Sequence, residues 1–562
     1  MQGGLAGLAP INSPGAWARP PTMQGGLAGL ARPAPMTSLV ARARGRGVDL
    51  GVWPPRYDPA YRPAPDAEHW LPDVECAEPR EREALILSKL QQQVRWAWER
   101  SPFYRRKWSA AGVGPDTLKS LEDLARFPVV QKAELRTAQA AAPPFGDYLC
   151  IEPQEVARIH GTSGTTGRPT VFGIGRDDWQ RIGEAHARIL WGAGLRPGDR
   201  IMICSFFSLY LGSWGALAGG ERLGATMFPF GAGASGQTLM AVQWARELRP
   251  TAFYATPSYA LHFAEVARRE GIDPGAFGLR ILFFSGEPGA GIPATKRQIE
   301  ATFGGICVDM GSMAEMTPWM TNGECRHRTG MHLWQDVVYT QVCAPENFQP
   351  VPYGQEGTPV YTHLERTSQP MIRLVSGDLA RWTDAPCPCG RTYPRLPEGL
   401  YGRLDDMFIV RGENIYPNAI EDALRSTDGF GGEFRVIVSR REAMDELLIR
   451  AEYTPGHAAP EAQARLKATM VERLRARLGV RPVIELLPQG EIPRTEFKAR
   501  RVIDDRDLYR HGLANSEPDH GTRPDPGRSE PDRRARPDPG RSDPDRRARR
   551  RPDGEHKGPS HV

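Results

Sequence analysis

Long apolar runs are missing from this chain. None of its 562 residues sits in a stretch near the roughly 20 apolar residues that cross a bilayer, and the mean hydropathy is −0.47. The sequence therefore predicts a soluble protein with no membrane partner. Cysteine is scarce as well. Eight in so long a chain do not make a disulfide framework, and the expected compartment is a reducing cytoplasm. A basic footprint is absent from the middle of the chain. Of the formal net charge of +5, residues 1–48 carry +5 as arginines without a single acid, and residues 512–562 add +2. The remainder is left at about −2, which argues against a nucleic-acid partner.

Composition divides the chain into four parts. Residues 1–75 are rich in Gly, Ala, Pro and Arg, and Met1–Ala9 recurs unchanged at Met23–Ala31, so a poorly ordered extension is expected. Residues 512–562 contain a thirteen-residue tandem repeat, opened by Arg523-Pro524-Asp525 and again by Arg536-Pro537-Asp538. It has no hydrophobic face and reads as a disordered charged tail. Between them, residues 76–402 begin with a helical pattern over 80–100, with Leu87, Leu90, Val94 and Trp98 near helical spacing. Short apolar runs at 200–204, 225–228, 251–254, 279–284 and 305–308 then alternate with amphipathic stretches. That alternation predicts an α/β domain with a largely parallel sheet. Residues 403–511 read as a smaller α+β domain with strands near 434–438, 446–451 and 483–487 and a helix over 460–478.

The run Gly161-Thr162-Ser163-Gly164-Thr165-Thr166-Gly167-Arg168-Pro169-Thr170 carries the most chemistry. Glycines allow close backbone approach to a phosphate, and successive N–H groups can cradle an anion. The hydroxyls can bond phosphate or a hard cation. It is not a Walker loop, because Gly167 is followed by Arg168-Pro169 instead of Lys-Ser/Thr. By composition alone, an ordinary Ser/Thr/Gly surface loop is the competing reading.

Further motifs follow in order: Asp309-Met310-Gly311-Ser312-Met313-Ala314-Glu315 after a predicted strand, Ser376-Gly377-Asp378-Leu379 in a turn, Gly402-Arg403-Leu404-Asp405-Asp406 at the boundary between the two domains, and Ile492-Pro493-Arg494-Thr495-Glu496-Phe497-Lys498 near the end of the smaller one. Singly, Asp378 reads as a turn aspartate, Arg403 and Asp405 as a surface ion pair, and Lys498 as an exposed lysine. Together with the loop, they resemble the adenylate-forming superfamily. Ser101–Lys107, Ile159-His160, Thr256–Tyr259 and Thr329–Trp334 narrow the resemblance to the phenylacetate–CoA ligase family, over about residues 85–504.

The resemblance implies a two-step reaction. A carboxylate attacks the α-phosphate of ATP, and a thiol, that of coenzyme A, then takes the acyl group. It implies that Ser163, Gly164, Thr165, Thr166 and Gly167 hold the outer phosphates, that Thr166 and Glu315 bind Mg²⁺, and that Asp378 bonds the ribose hydroxyls. Arg403 would lie near ribose and phosphates, and Lys498 would bridge the substrate carboxylate and the α-phosphate. Asp405 matches the hinge about which the small domain turns. The pattern departs at Arg168, where a lysine is common, and at Gly311 and Ala314, where an aromatic and a hydroxyl residue are common.

Residues following the strands are expected to line the acid pocket: Phe206, Phe207, Tyr210, Tyr254, Ala255, Ser285, Gly286 and Glu287, with His160 just before the loop. Their rings suit a flat aryl acid, and equally an ordinary core. Cys325, His332, Cys387 and Cys389 form a Cys₃His set suited to a structural Zn²⁺, with His327 as the alternative fourth ligand and free thiols as the competing reading. The expected partner is a small-molecule carboxylic acid. A carrier-protein thiol is the alternative acceptor, and an inactive nucleotide-binding relative is the alternative from another class. Monomer and homodimer both remain open.

Overall fold

The computed structural model describes residues 36–162, 169–209, 211–231, 237–318, 320–404, 406–411, 413–441, 444–494 and 501–506. All belong to one compact unit covering residues 1–507. Ser163, Gly164, Thr165, Thr166, Gly167, Tyr210, Asp405, Lys498 and the 512–562 repeat lie outside the described residues.

An eight-stranded sheet organises the larger part. Its order is Arg395–Leu396, Met331–Leu333, Asn322–Glu324, Ile306–Gly311, Ile281–Phe284, Ala252–Ala255, Arg200–Ile203, Thr226–Phe228. The last five of these are parallel, and the first three add on antiparallel. Ala252–Ala255 and Ile281–Phe284 are buried at every position, as strands covered on both faces must be. Helices Leu211–Leu223, Gln237–Leu248, Pro257–Arg269 and Pro293–Phe303 make the crossovers between successive parallel strands. The chain runs from Arg200–Ile203 to the edge strand Thr226–Phe228, then returns to Ala252–Ala255 on the other side. Strand order therefore reverses between Arg200–Ile203 and Ala252–Ala255. In open α/β sheets, ligands enter at the carboxyl ends beside such a reversal.

A second, antiparallel sheet joins Val338–Cys343, Glu356–His363, Asp378–Arg381 and Gly402–Arg403. Helix Pro79–Arg100 begins with proline at its first turn and buries Leu85, Ile86, Leu90, Val94 and Ala97. Leu87 and Trp98 pack at the margin of that stripe.

A four-stranded sheet follows, ordered Val483–Pro488, Met444–Tyr453, Phe430–Arg441, Val502–Asp504, with helices Pro417–Arg425 and Pro460–Leu478 on it. It has its own core, including Phe434, Val436, Ile449, Met470 and Leu474. The predicted α+β elements of 403–511 thus appear at their expected places.

Residues 36–75 correct the expectation of a poorly ordered extension to residue 75. Met36–Ala43 is a helix, and Leu39, Val48, Trp70, Leu71 and Val74 are buried in the main core. Trp70 meets Trp191 edge-on at 5.4 Å and donates its indole N–H to Glu184 Oε1 at 2.7 Å. Glu75, wholly buried, pairs with Arg391 at 2.9 Å and with Arg188 at 3.5 Å. The Gly/Pro-rich composition obscures this order, because the partners lie more than 100 residues away in sequence and no local periodicity marks them.

Candidate active site

The expected pocket residues gather at the carboxyl ends of the parallel strands. Phe206 and Phe207 follow Arg200–Ile203, Tyr254 and Ala255 end the next strand, and Ser285, Gly286 and Glu287 follow Ile281–Phe284. Their environments differ. Tyr254 is 1 % exposed, stacks on Phe283 at 5.1 Å, and shares a 2.6 Å hydrogen bond between its hydroxyl and Ser285 Oγ. Its ring is core, so at this position packing is the better reading of the aromatic residue. Glu287 accepts the Ser258 N–H at 2.6 Å, placing a carboxylate on the first turn of Pro257–Arg269. Burial pushes its pKa up against the pull of Arg501. An acid at a helix N-terminus is satisfied by the exposed N–H groups and dipole there. Phe207 is half-buried and meets Trp214 edge-on at 5.1 Å.

His160 ends up beside this group. The neighbouring Gly161 N–H donates to Leu209 O at 2.8 Å, which ties the end of strand Val156–Gly161 to the segment after Phe207. The His160 ring stacks on Trp179 at 5.5 Å with planes 14° apart, and Trp214 lies at 6.2 Å. Burial first, then the charge of Arg158, lowers its pKa to about 4. Sequence reasoning does not find Trp179 and Trp214. They sit on different helices, and no spacing links them to His160.

Glu315 lies four residues past strand Ile306–Gly311, as expected from the motif. It is buried, and its Oε1 has no hydrogen-bond partner among the described residues. Lys132 Nζ pairs with that oxygen at the longer distance of 3.7 Å. A buried carboxylate oxygen without a donor is costly unless a cation completes it. No sequence signal points to Lys132, which starts a helix far upstream with no motif around it. Gly311 ends its strand, and a Cβ placed there would meet only Leu400 Cδ1, at 3.8 Å. Neither crowding nor backbone conformation requires glycine there. Asp309, two residues earlier, is buried beside Glu324, whose Oε2 accepts both the Asp309 N–H at 2.9 Å and Lys296 Nζ at 2.6 Å. Burial, then the charge of Glu324, pushes the Asp309 pKa well above the carboxylate range.

Asp378, expected within a turn, is instead the first residue of a strand. Gly377, immediately before it, has a φ of +77°. Cross-strand register sets Asp378 opposite Arg403, and Arg403 Nη1 donates to Asp378 Oδ1 at 2.8 Å. Two residues 25 apart in sequence, expected at the same nucleotide, are thus adjacent. Asp378 is mostly buried, and Arg403 is about a third exposed.

The four sulfur and nitrogen ligands also come together. Cys325 Sγ, His332, Cys387 Sγ and Cys389 Sγ all lie within 4.8 Å of one another and are buried. Cys325 and Cys387 sulfurs are 3.7 Å apart, and Cys389 Sγ is 3.4 Å from His332 Nε2. A tetrahedral ion with Zn–S bonds of about 2.3 Å separates its sulfurs by about 3.8 Å. His327 instead lies 3.8 Å from Glu68, leaving His332 as the histidine of the cluster.

Comparison with known proteins places the chain. Residues 113–361 match the model of the AMP-binding enzyme family, and residues 412–506 match that of the AMP-binding enzyme C-terminal domain. The phenylacetate–coenzyme A ligase of Thermus thermophilus is 34% identical over 77% of this chain and 99% of its own length. That of Escherichia coli is 33% identical over 78% and 98%. Among solved structures, 2-hydroxyisobutyryl-CoA ligase in its postadenylation state with 2-HIB-AMP is 54% identical, over 84% of this chain and 99% of that one, with a TM-score of 0.80. The same ligase in its thioesterification state, with 2-HIB-AMP and CoA, gives 0.64 at 55% identity over 84% and 99%. The chain belongs to the phenylacetate–CoA ligase family of adenylate-forming, AMP-binding enzymes, the AMP-forming acid–CoA ligases.

Proposed function

We propose that this chain activates a short, branched hydroxy acid with ATP and passes the acyl group to coenzyme A. The observation that carries the choice of acid is the 54% identity to 2-hydroxyisobutyryl-CoA ligase over 99% of that protein, against 34% to a phenylacetate ligase. The burial of Tyr254 supports it, since that ring packs on Phe283 instead of walling a flat aryl slot. An aryl acid, which the aromatic content after the strands suggests, is the second reading, and the phenylacetate relatives favour it.

In this reading Ser163–Gly167 hold the outer phosphates, and Thr166 and Glu315 would hold Mg²⁺, which when bound would supply positive charge to the phosphates. Glu315 Oε1, buried with no hydrogen-bond donor among the described residues and only a 3.7 Å ion pair to Lys132, supports the second ligand. Asp378 bonds the ribose, with Arg403 fixed beside it. Lys498 meets the two anions that must react. Catalysis here is positioning and charge neutralisation, and no protein nucleophile is required. Residues 76–402 and 403–511 act as separate domains that turn about Asp405 between half-reactions. The Cys₃His cluster holds a structural Zn²⁺, with no position open for substrate. All eight cysteines are unpaired, which fits a reducing cytoplasm.

The deciding experiment is acid-dependent ATP–pyrophosphate exchange over hydroxyalkyl, alkyl and aryl acids, followed by mass analysis of the CoA product. The largest kcat/KM is expected for a branched hydroxy acid. A preference for aryl acids would select the second reading.

A further inference from the structure

Arg366 is a buried cation to which the described residues offer a single side-chain acceptor. It is 6 % exposed. Nη2 donates to Thr317 O at 2.6 Å, and Nε and Nη1 donate to nothing among the described residues. Unlike Nε of Arg181 and Arg373, those two atoms are not closed off completely. Burial lowers the Arg366 pKa to about 10, while Asp178 attracts the guanidinium from beyond ion-pair distance. Asp178 is already engaged elsewhere. Its oxygens accept Arg181 Nη2 and Ser368 N, each at 2.6 Å, together with Thr367 N, Thr367 Oγ1 and Ser368 Oγ. The guanidinium is thus charged at working pH, and a buried charge without a close counter-ion is costly.

The backbone under this side chain is pinned. Gln93 Nε2 donates to the Arg366 carbonyl at 2.8 Å, and Gln93 Oε1 accepts the Arg366 N–H at 2.9 Å. Next to it, Lys89 pairs with Glu365 at 2.5 Å, and Trp96 donates to the Thr367 carbonyl at 2.8 Å. Such support holds a binding group in place before its ligand arrives. The location points to the substrates. Thr317 lies two residues past Glu315, on the segment leaving strand Ile306–Gly311. On the other side, Thr367 and Ser368 bond Asp178 in the first turn of helix Arg176–Gly192. The next residue, Trp179, stacks on His160, which immediately precedes the glycine–hydroxyl run. Burial, then Arg158 and, more weakly, Arg366 lower the His160 pKa to about 4, so the Arg366 charge is felt there.

We propose that Arg366 binds a carboxylate of the acid substrate. The inference rests on the acid–CoA ligase activity and not on which acid is used. The reaction brings two kinds of anion to the carboxyl ends of the sheet, the phosphates of ATP and the carboxylate of the acid. The outer phosphates have their own loop in the reading above, which leaves the carboxylate for a separate cation. Arginine suits it, because the planar donors of a guanidinium match carboxylate geometry. A neutral acyl chain would leave the buried charge without a further acceptor.

The test measures acid KM, ATP KM and kcat by ATP–pyrophosphate exchange. Wild type is compared with Arg366→Met, which keeps the apolar stem and loses the charge, and Arg366→Lys, which keeps a charge on a smaller head. The probes are 2-hydroxyisobutyrate, phenylacetate and the dicarboxylate methylmalonate. Arg366→Met should raise the acid KM about tenfold or more, with the ATP KM within about twofold, and Arg366→Lys should fall between. A loss on every acid that wild type accepts identifies the bound group as the reacting carboxylate, and a loss on methylmalonate alone identifies it as a second one. Unchanged acid KM values, or acid and ATP KM rising in parallel, would give Arg366 a merely structural role and overturn the proposal. Thermal melts control for folding. If Arg366→Met does not fold, an unaltered acid KM in the milder Arg366→Gln overturns the proposal. So does calorimetry in which wild type binds the carboxamide of its acid as tightly as the acid itself.

Discussion

At the scale of single residues, the site is a set of charges awaiting others. Glu315 Oε1 is buried with no hydrogen-bond donor among the described residues and only the longer ion pair to Lys132, and Asp378 is held by Arg403 across one strand pair. In the proposed function Lys498 supplies the remaining charge, to the two anions that react. Replacing it with alanine should lower carboxylate-dependent pyrophosphate exchange by about 10²–10³, the usual loss for one transition-state donor. ATP affinity by calorimetry should change only a few-fold, since the lysine acts where the acid meets the α-phosphate. Exchange at the wild-type rate would remove Lys498 from that role. Much of this set is legible in the amino-acid sequence, because its members sit in short motifs. What the motifs do not show is who faces whom. Lys132 lies 183 residues before Glu315, and the two meet only through the fold.

Elements tell a different story about legibility. The alternating apolar runs locate all five parallel strands, most cleanly Ala252–Ala255 and Ile281–Phe284, which are covered on both faces and buried at every position. The segment 36–75 escapes such reasoning, because its order depends on distant partners such as Glu184 and Arg391. Trp70 is its anchor. Trp70→Ala should cost about 3–5 kcal/mol of stability, as large aromatic truncations in cores do, and lower the melting temperature by several degrees. A melt unchanged within error would mean that the segment contributes little. The Cys₃His cluster makes its own prediction. Purified protein should carry about one zinc per chain by elemental analysis, and Cys389→Ser should lose the metal and melt earlier, because metal binding adds directly to folding free energy. A zinc-free sample with the same melting temperature would show that the cluster is four free side chains.

For the molecule as a whole, the relation between its two lobes is what matters. The higher TM-score to the postadenylation form than to the thioesterification form of the same relative indicates which arrangement this structure resembles. Arg494, from the smaller lobe, spans to Glu265 on helix Pro257–Arg269 at 3.2 Å, and to Glu452 at 2.8 Å. The proposed turn about Asp405 must break the first of these pairs. Burial alone would raise the Glu265 pKa, but His262 and Arg494 outweigh it and lower it. The pair is therefore intact above the ordinary carboxylate range and is lost as pH falls through the depressed value. At this partial exposure it contributes up to about 1 kcal/mol. Glu265→Gln should accordingly speed single-turnover thioester formation from preformed adenylate by up to about fivefold, with adenylation little altered. A slower second step would mean that the pair does not oppose the turn. The strand order of the large sheet has one more consequence. Its two outer strands, Arg395–Leu396 and Thr226–Phe228, are only two and three residues long. So short a border offers a neighbouring chain almost no free backbone to align on, which guards a wide, apolar sheet against edge-to-edge aggregation in a crowded cell.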